Sequence, residues 1–180
     1  MTVAVLGTNE FDAADRDTQQ VYLSAVTRLA LARVAIRTGA STGCDQIAAQ
    51  AALEVGGRVE LVLPWPRFQG QWVSTIRRQY PGRCHVEVFD RAHHAHWLES
   101  VPRYTQPPDA IVGSRTEKLY ARVFGIVEPA EIVMAMPLVT ERGGTGQGMR
   151  IARAMGKVVL DVRCHDDRER LYAWLKGLPH

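Results

Sequence analysis

Residues 139–162 read VTERGGTGQGMRIARAMGKVVLDV, and the parsing of this stretch decides the fold. Four glycines fall between Gly143 and Gly148, directly ahead of an amphipathic run that predicts a helix over Met149–Met155. A β-rich run, Val158–Val162, follows. Glycine at such a connection either makes a tight turn or admits something close to the backbone, because it alone lacks a Cβ. The first case is plain strand–turn–helix punctuation; the second is a binding loop.

Working outward, Glu131–Met136 predicts a strand and Glu117–Val127 a helix, while Asp167–Leu175 predicts a closing helix. The same alternation runs back to the first residues. Thr2–Leu6 predicts a strand ending at Gly7. Thr18 to Ala32 carries Val21, Tyr22, Ala25, Val26 and Leu29 at helical spacing. Val34–Arg37 predicts a second strand, and Asp45–Val55 a small-residue helix closed by Gly56 and Gly57, the usual place for glycine past a helix end. Val59–Leu63 predicts a third strand, stopped by Pro64-Trp65-Pro66. Val73–Tyr80 reads as a helix, His85–Phe89 as a strand and Ala92–Glu99 as a short helix. Beyond Pro102, Pro107 and Pro108, Ala110–Val112 reads as a buried edge or a turn. Strands alternating with helices imply a parallel sheet covered on both faces, a three-layer α/β architecture. At least five strands are expected, mostly parallel, with the strand beginning at Thr2 central. No repeat or long linker divides the chain, so residues 1–180 are expected to form one domain.

Composition narrows the function classes. At 180 residues the chain is long enough to bury a sizeable core. A net charge of +3, with acids and bases interspersed, is too small to argue for nucleic acid. No apolar run approaches the roughly 20 residues of a membrane span. The opening MTVAVLG reads as a strand rather than a leader. Cys44, Cys84 and Cys164 are odd in number and widely spaced, which points to a reducing cytoplasm and to no structural zinc.

In parallel α/β sheets ligands sit beyond the carboxyl ends of the strands, where loops enter helices. Three glycine-bearing loops are predicted on that edge: Gly7-Thr8-Asn9, Thr38–Asp45 and Arg142–Gly148. Helix N-termini offer unpaired N–H groups and a positive dipole end, which suit phosphate. No loop reads G-x-x-x-x-G-K-[ST], and no G-x-G-x-x-G follows the first strand. No cofactor is therefore expected.

Three segments carry a resemblance: TGASTGCDQIAAQAALEVGGRVELVLP (residues 38–64), LYARVFGIVEPAEIVMAMP (119–137) and GGTGQGMRIARAMGKVVL (143–160). In their order they resemble the SLOG superfamily of Rossmann-like domains. That superfamily includes the lysine-decarboxylase-like LOG proteins, molybdenum-cofactor carriers and the DNA-processing protein DprA. The resemblance spans roughly Val3 to Val162. It implies a cleft for a nucleotide, nucleotide derivative or phosphoribosyl group. The expected contacts are Gly7, Thr8, Gly43, Asp45, Gly143, Gly144, Thr145, Gly146 and Gln147, with Arg122 across the cleft. It also implies pairing, and Phe68 or Trp72 would anchor a homodimer or larger homo-oligomer if exposed.

The departures bear on chemistry. LOG-type phosphoribohydrolases follow the GGT loop with acidic residues, where this chain carries Gln147 and Gly148. Glycosidic cleavage passes through an oxocarbenium-like state that a carboxylate stabilises; an amide cannot supply that charge. Glu141, Glu117 and Asp45 are substitutes, each equally readable as a cap or a solvated turn residue, and no catalytic residue is assigned. Two function classes follow. One is a nucleotide binder or sensor, or a hydrolase or transferase on a phosphoribosyl bond. The alternative is a DprA-like nucleic-acid or protein-interaction module, against which the scatter of arginines stands.

Further candidates have two readings each. Arg122 is a ligand-facing cation or a surface charge on an amphipathic helix, and Arg115 and Arg150 are weaker phosphate candidates. Asp45 is an N-terminal cap or a partner of a ribose hydroxyl. Cys44, at the same helix start, has the setting for a lowered pKa, but no histidine partner is evident that would make it a nucleophile. His93 and His96 are i, i+3 neighbours beside His94, but no third metal ligand is evident, so an exposed helix face with Trp97 inward is expected. Trp65 and Phe68 either stack a base or plug the cleft.

Overall fold

The computed structural model describes residues 1–105, 114–138 and 141–179. The strands are β1 (Thr2–Gly7), β2 (Ala35–Thr38), β3 (Val59–Leu63), β4 (Cys84–Val88), β5 (Ile132–Met136) and β6 (Val158–Asp161). The helices are α1 (Arg16–Leu31), α2 (Cys44–Glu54), α3 (Gly70–Gln79), α4 (Ala95–Tyr104), α5 (Arg115–Val127), α6 (Gly143–Ala154) and α7 (His165–Lys176), with a 3-10 turn at Phe11–Ala13.

The strands form one six-stranded sheet in the order β4-β3-β2-β1-β5-β6, and every pairing is parallel. β1 is an inner strand, as the reading of Thr2–Leu6 requires. Its neighbours β2 and β5 lie on opposite sides, so the chain reverses direction across the sheet at β1. That is the topological switch point where loops diverge and leave a crevice.

Alternate residues of each strand feed two separate cores, because successive side chains point to opposite faces. Val3 and Val5 pack with Tyr22, Leu29, Leu53 and Leu171, whereas Ala4 and Leu6 pack with Trp97, Val123, Ile126 and Ile151. Helices α1, α2, α3 and α7 thus cover one face, and α4, α5 and α6 the other. This is the three-layer Rossmann-like arrangement.

Arg37 is a buried charge within a strand. It is buried on β2 and donates to Glu60 on β3 (3.0 Å), to Glu87 on β4 and to the carbonyl of Gly125 on α5 (2.9 Å). Buried guanidinium groups need such partners. The cluster ties three strands to α5.

Three local expectations are corrected. The helix expected at Ala92–Glu99 is α4, which starts later and runs through Pro102. Asp90 Oδ1 accepts from the N–H groups of Ala92 (2.8 Å) and His93 (3.2 Å), which holds that stretch as a turn. The helix then persists because Trp97 and Val101, one turn apart, are both buried; this offsets a proline penalty of about 3 kcal/mol. Phe68 and Trp72 are half-buried against the core rather than exposed anchors. Most consequentially, α6 starts at Gly143 and not at Met149. The segment read at Ala110–Val112 lies outside the described residues. Among the described residues, no helix is long and apolar enough to cross a membrane.

Candidate functional site

Beyond the carboxyl end of β1 lies a cavity of about 380 Å³. Gly7, Thr8, Asn9 and Glu10 line it from β1, Ser41 and Asp45 from the β2–α2 connection, and Thr116, Leu119, Tyr120, Arg122 and Val123 from α5. Leu138, Arg142, Gly143, Gly144 and Thr145 close it from the β5–α6 side. Of the residues anticipated as contacts, Gly43, Gly146 and Gln147 lie outside this lining.

The glycine run divides into two functions. Gly143, the first residue of α6, has φ 68°, a left-handed conformation natural to glycine. A Cβ placed there meets nothing within 4 Å, and one on Gly144 meets only Val123 Cγ2 at 3.6 Å. The first turn of α6 therefore presents bare backbone to the cavity. The cap residue, Arg142, makes no side-chain hydrogen bond to that turn. Gly146 and Gly148 differ. A Cβ on Gly146 would lie 1.9 Å from the carbonyl oxygen of Glu141, and one on Gly148 would lie 2.2 Å from Leu6 Cδ1. These two let the incoming chain and β1 pack against the helix. Gln147 between them is fully buried, with neither amide atom hydrogen-bonded.

Arg122 is no surface cation. Its residue exposure is 6%, and its guanidinium is held on several sides. Nη2 donates to Ser41 Oγ at 2.6 Å, Nη1 reaches the carbonyl of Val62 at 3.4 Å, and the Phe68 ring covers the group with its centroid 5.0 Å away. Asp45 Oδ2 stands 3.8 Å from Nη2, and Nε has no partner. Arg122 thus keeps an unused donor in a low-dielectric wall.

Asp45, equally buried, lies inside the first turn of α2, whose cap is Gly43. Its carboxylate turns back to accept from Ser41 N–H at 3.2 Å, so it closes the preceding loop instead of capping its own helix. Burial pushes the Asp45 carboxyl up, while Arg122 and the Ser41 amide pull it down; burial wins. The same burial lowers the Arg122 pKa, with Asp45 opposing. Gly39 sits beneath the pair: a Cβ there would lie 2.4 Å from Asp45 Oδ2 and 2.9 Å from Arg122 Nη1.

Cys44 reverses its expectation. Burial, and then the negative charge of Asp45, push its thiol up to about 12, although it stands at a helix start. Its Sγ lies where a Cβ on Gly7 would be, 2.5 Å away, so Gly7 is small to admit it. Native protein treated with a maleimide near neutral pH should label only the exposed Cys164, with Cys44 and Cys84 reacting after denaturation. Mass spectrometry of the labelled peptides checks this.

The remaining candidates are committed elsewhere. Arg150 donates to the carbonyls of Tyr104 (2.8 Å) and Glu141 (2.6 Å), which pins α4 to the entry of α6. Glu141 pairs with Arg153, and Glu117 with Arg91. Arg115 is exposed and does not line the cavity. His93 pairs with Asp90 at 3.1 Å, and His94 stacks on buried Trp97 with centroids 4.0 Å apart. Among the described residues, no group of three His, Cys, Asp or Glu side chains is placed to hold a metal. Trp65 meets Phe68 edge-on at 5.2 Å. Sequence reasoning missed Glu10, Ser41, Tyr120 and Gly39; only the glycine and hydroxyl content of TGASTG signalled any of them.

Two solved structures have this architecture. The molybdenum cofactor carrier protein MCP from Chlamydomonas reinhardtii aligns with a TM-score of 0.55 at 16% identity, over 99% of this chain and 88% of that one. DNA processing protein A from Helicobacter pylori, described for its single-stranded DNA binding mode, aligns with a TM-score of 0.63 at 15% identity, over 99% of this chain and 82% of that one. This chain shares their Rossmann-like α/β fold. At such identities the likeness is one of fold alone. No protein-family model matches the sequence, and none of the curated proteins does.

Proposed function

We propose that this chain binds a phosphate-bearing small molecule, a nucleotide or nucleotide derivative, in the cavity at the end of β1. The observation that carries this reading is the meeting of an uncapped helix N-terminus, Gly143-Gly144-Thr145, with a buried arginine whose Nε is unpartnered. Backbone N–H groups and a guanidinium are complementary to an oxyanion. Leu119, Tyr120, Val123 and Leu138 supply an apolar wall for a base or other flat ring. The volume falls within the roughly 300–1,000 Å³ of small-molecule sites. Among the described residues the carboxylates at the cavity are Glu10 and Asp45, and Asp45 is engaged with Ser41 and Arg122.

The test is a thermal-shift screen against nucleoside mono- and diphosphates, nucleotide sugars and pterins. A ligand held only by the native state raises the midpoint as RT ln(1 + [L]/Kd). Gly144→Val should abolish the response and leave the unliganded midpoint nearly unchanged, because the added methyls enter the cavity. No response from any member of the screen overturns the reading.

A second reading, nucleic-acid binding, has one observation in its favour. The arginines that look scattered in sequence partly gather: Arg58 and Arg83 directly precede the neighbouring strands β3 and β4, and Arg77 and Arg78 occupy the last turn of α3. Fluorescence anisotropy with a single-stranded oligonucleotide at two salt concentrations separates the readings. Phosphate-backbone binding weakens steeply with salt.

A further inference from the structure

We propose that Asp45 sets the charge the cavity accepts: an anion that reaches Arg122 binds together with one proton, which Asp45 takes from solvent. This rests on the reading of the cavity as an anion site and goes beyond it in assigning a coupled proton. The geometry carries it. Asp45 Oδ2 and Arg122 Nη2 stand 3.8 Å apart, both residues are 6% exposed, and both line the same cavity. With the Asp45 carboxyl ionised, the pair without a ligand is balanced, one charge of each sign. An anion drawn to Arg122 and to the α6 N-terminus, which line the same cavity, comes to rest beside a carboxylate as well as a guanidinium. The balance then fails by at least one negative charge, in a wall where charges are poorly screened. Two like charges sharing one buried site are relieved when one of them takes a proton.

The surroundings of Asp45 make it the group that does so. From α5 it faces Arg122, the only cation in contact with it among the described residues. From the end of β2 it faces Thr38 and Ser41, neither of them charged. On its own helix Cys44 is held as a thiol, and Tyr22 on α1 is held as a neutral phenol that donates to the Cys44 carbonyl. Across the cavity stand Glu10 and Arg142. Burial has already moved the Asp45 carboxyl upward in the empty site, toward accepting the proton.

Sulfate is the probe, because it keeps both charges through the neutral range and its own titration does not intrude. Isothermal titration of the wild-type chain in two buffers of different protonation enthalpy should give apparent enthalpies that differ by the uptake of close to one proton. Affinity should rise as pH falls, by up to about tenfold per unit within the titration range. Asp45→Asn keeps the size of the side chain and an acceptor for Ser41 N–H. It should bind sulfate with no buffer dependence, and more tightly than wild type at the alkaline end. Wild-type binding without buffer dependence, or an unchanged pH slope in Asp45→Asn, overturns the proposal while leaving the anion site standing. Failure of both proteins to bind sulfate at any pH overturns the proposal and the anion reading together.

Discussion

Arg122→Met is expected to lose ligand binding and about 3 kcal/mol of stability, the larger loss at alkaline pH. The side chain is removed from a wall that cannot rehydrate it; Ser41 Oγ and the Val62 carbonyl lose their donor, and the Asp45 carboxylate loses its ion-pair partner. The pH dependence follows from sign. Burial already raises the Asp45 carboxyl, and without Arg122 only the upward influences of burial and the downward pull of hydrogen bonds remain. A folded-state value above the unfolded one, about 3.9, means the native state binds more protons. Stability then falls as pH rises from the unfolded value through the raised folded one, and recovers in acid. Chemical denaturation of the variant at two pH values, one near the unfolded carboxyl value of about 3.9 and one in the alkaline range, checks both size and sign. The double variant Arg122→Met/Asp45→Asn should lose less than the sum of the single changes, because it leaves no buried charge unpaired. Equal losses at both pH values would remove Asp45 from the account.

Gly146→Ala is expected to cost about 2–3 kcal/mol, an overpacking penalty, and to lower the midpoint by roughly 5–10 °C. The added methyl would meet the carbonyl carbon of Glu141 at 2.2 Å and its oxygen at 1.9 Å. Backbone cannot step aside as a flexible side chain can. Gly144→Ala, two residues earlier, should be close to neutral in stability, since its methyl would stand 3.6 Å from Val123. The pair of melting curves decides what the glycine run is for. Equal behaviour of the two variants would mean that the run is a uniform turn. The contrasting outcome separates a packing half, Gly146 and Gly148, from the half that faces the cavity.

Much of the architecture was legible because it depends on local pattern. Val59–Leu63 is β3 to the residue, and Glu117–Val127 differs from α5 only by two residues at its start. In both, the spacing of apolar residues sets the element before any partner is chosen. The start of α6 was not legible, since glycine is a poor helix former and four of them argue for a loop. The helix begins there because Gly148 packs on Leu6 of β1 and Gly146 admits the backbone of Glu141. Tertiary contact overrides propensity at that point.

The candidate site shows the same boundary. Its place at the carboxyl ends of β1 and its neighbours follows from strand–helix alternation, and the glycine and hydroxyl residues of the connections are visible in the bare chain. Sequence alone therefore determined a parallel sheet with glycine-bearing loops on one edge. Only the tertiary structure decided what each residue there does. Ser41 and Arg122 are 81 residues apart in sequence yet share a hydrogen bond. Asp45 and Cys44 are displaced upward by the burial that the assembled packing imposes, while Arg122 and Ser41 pull the Asp45 carboxyl the other way. Charge and solvation belong to the assembled wall, because the cost of a charge depends on which atoms replace its water, and no single segment supplies them all.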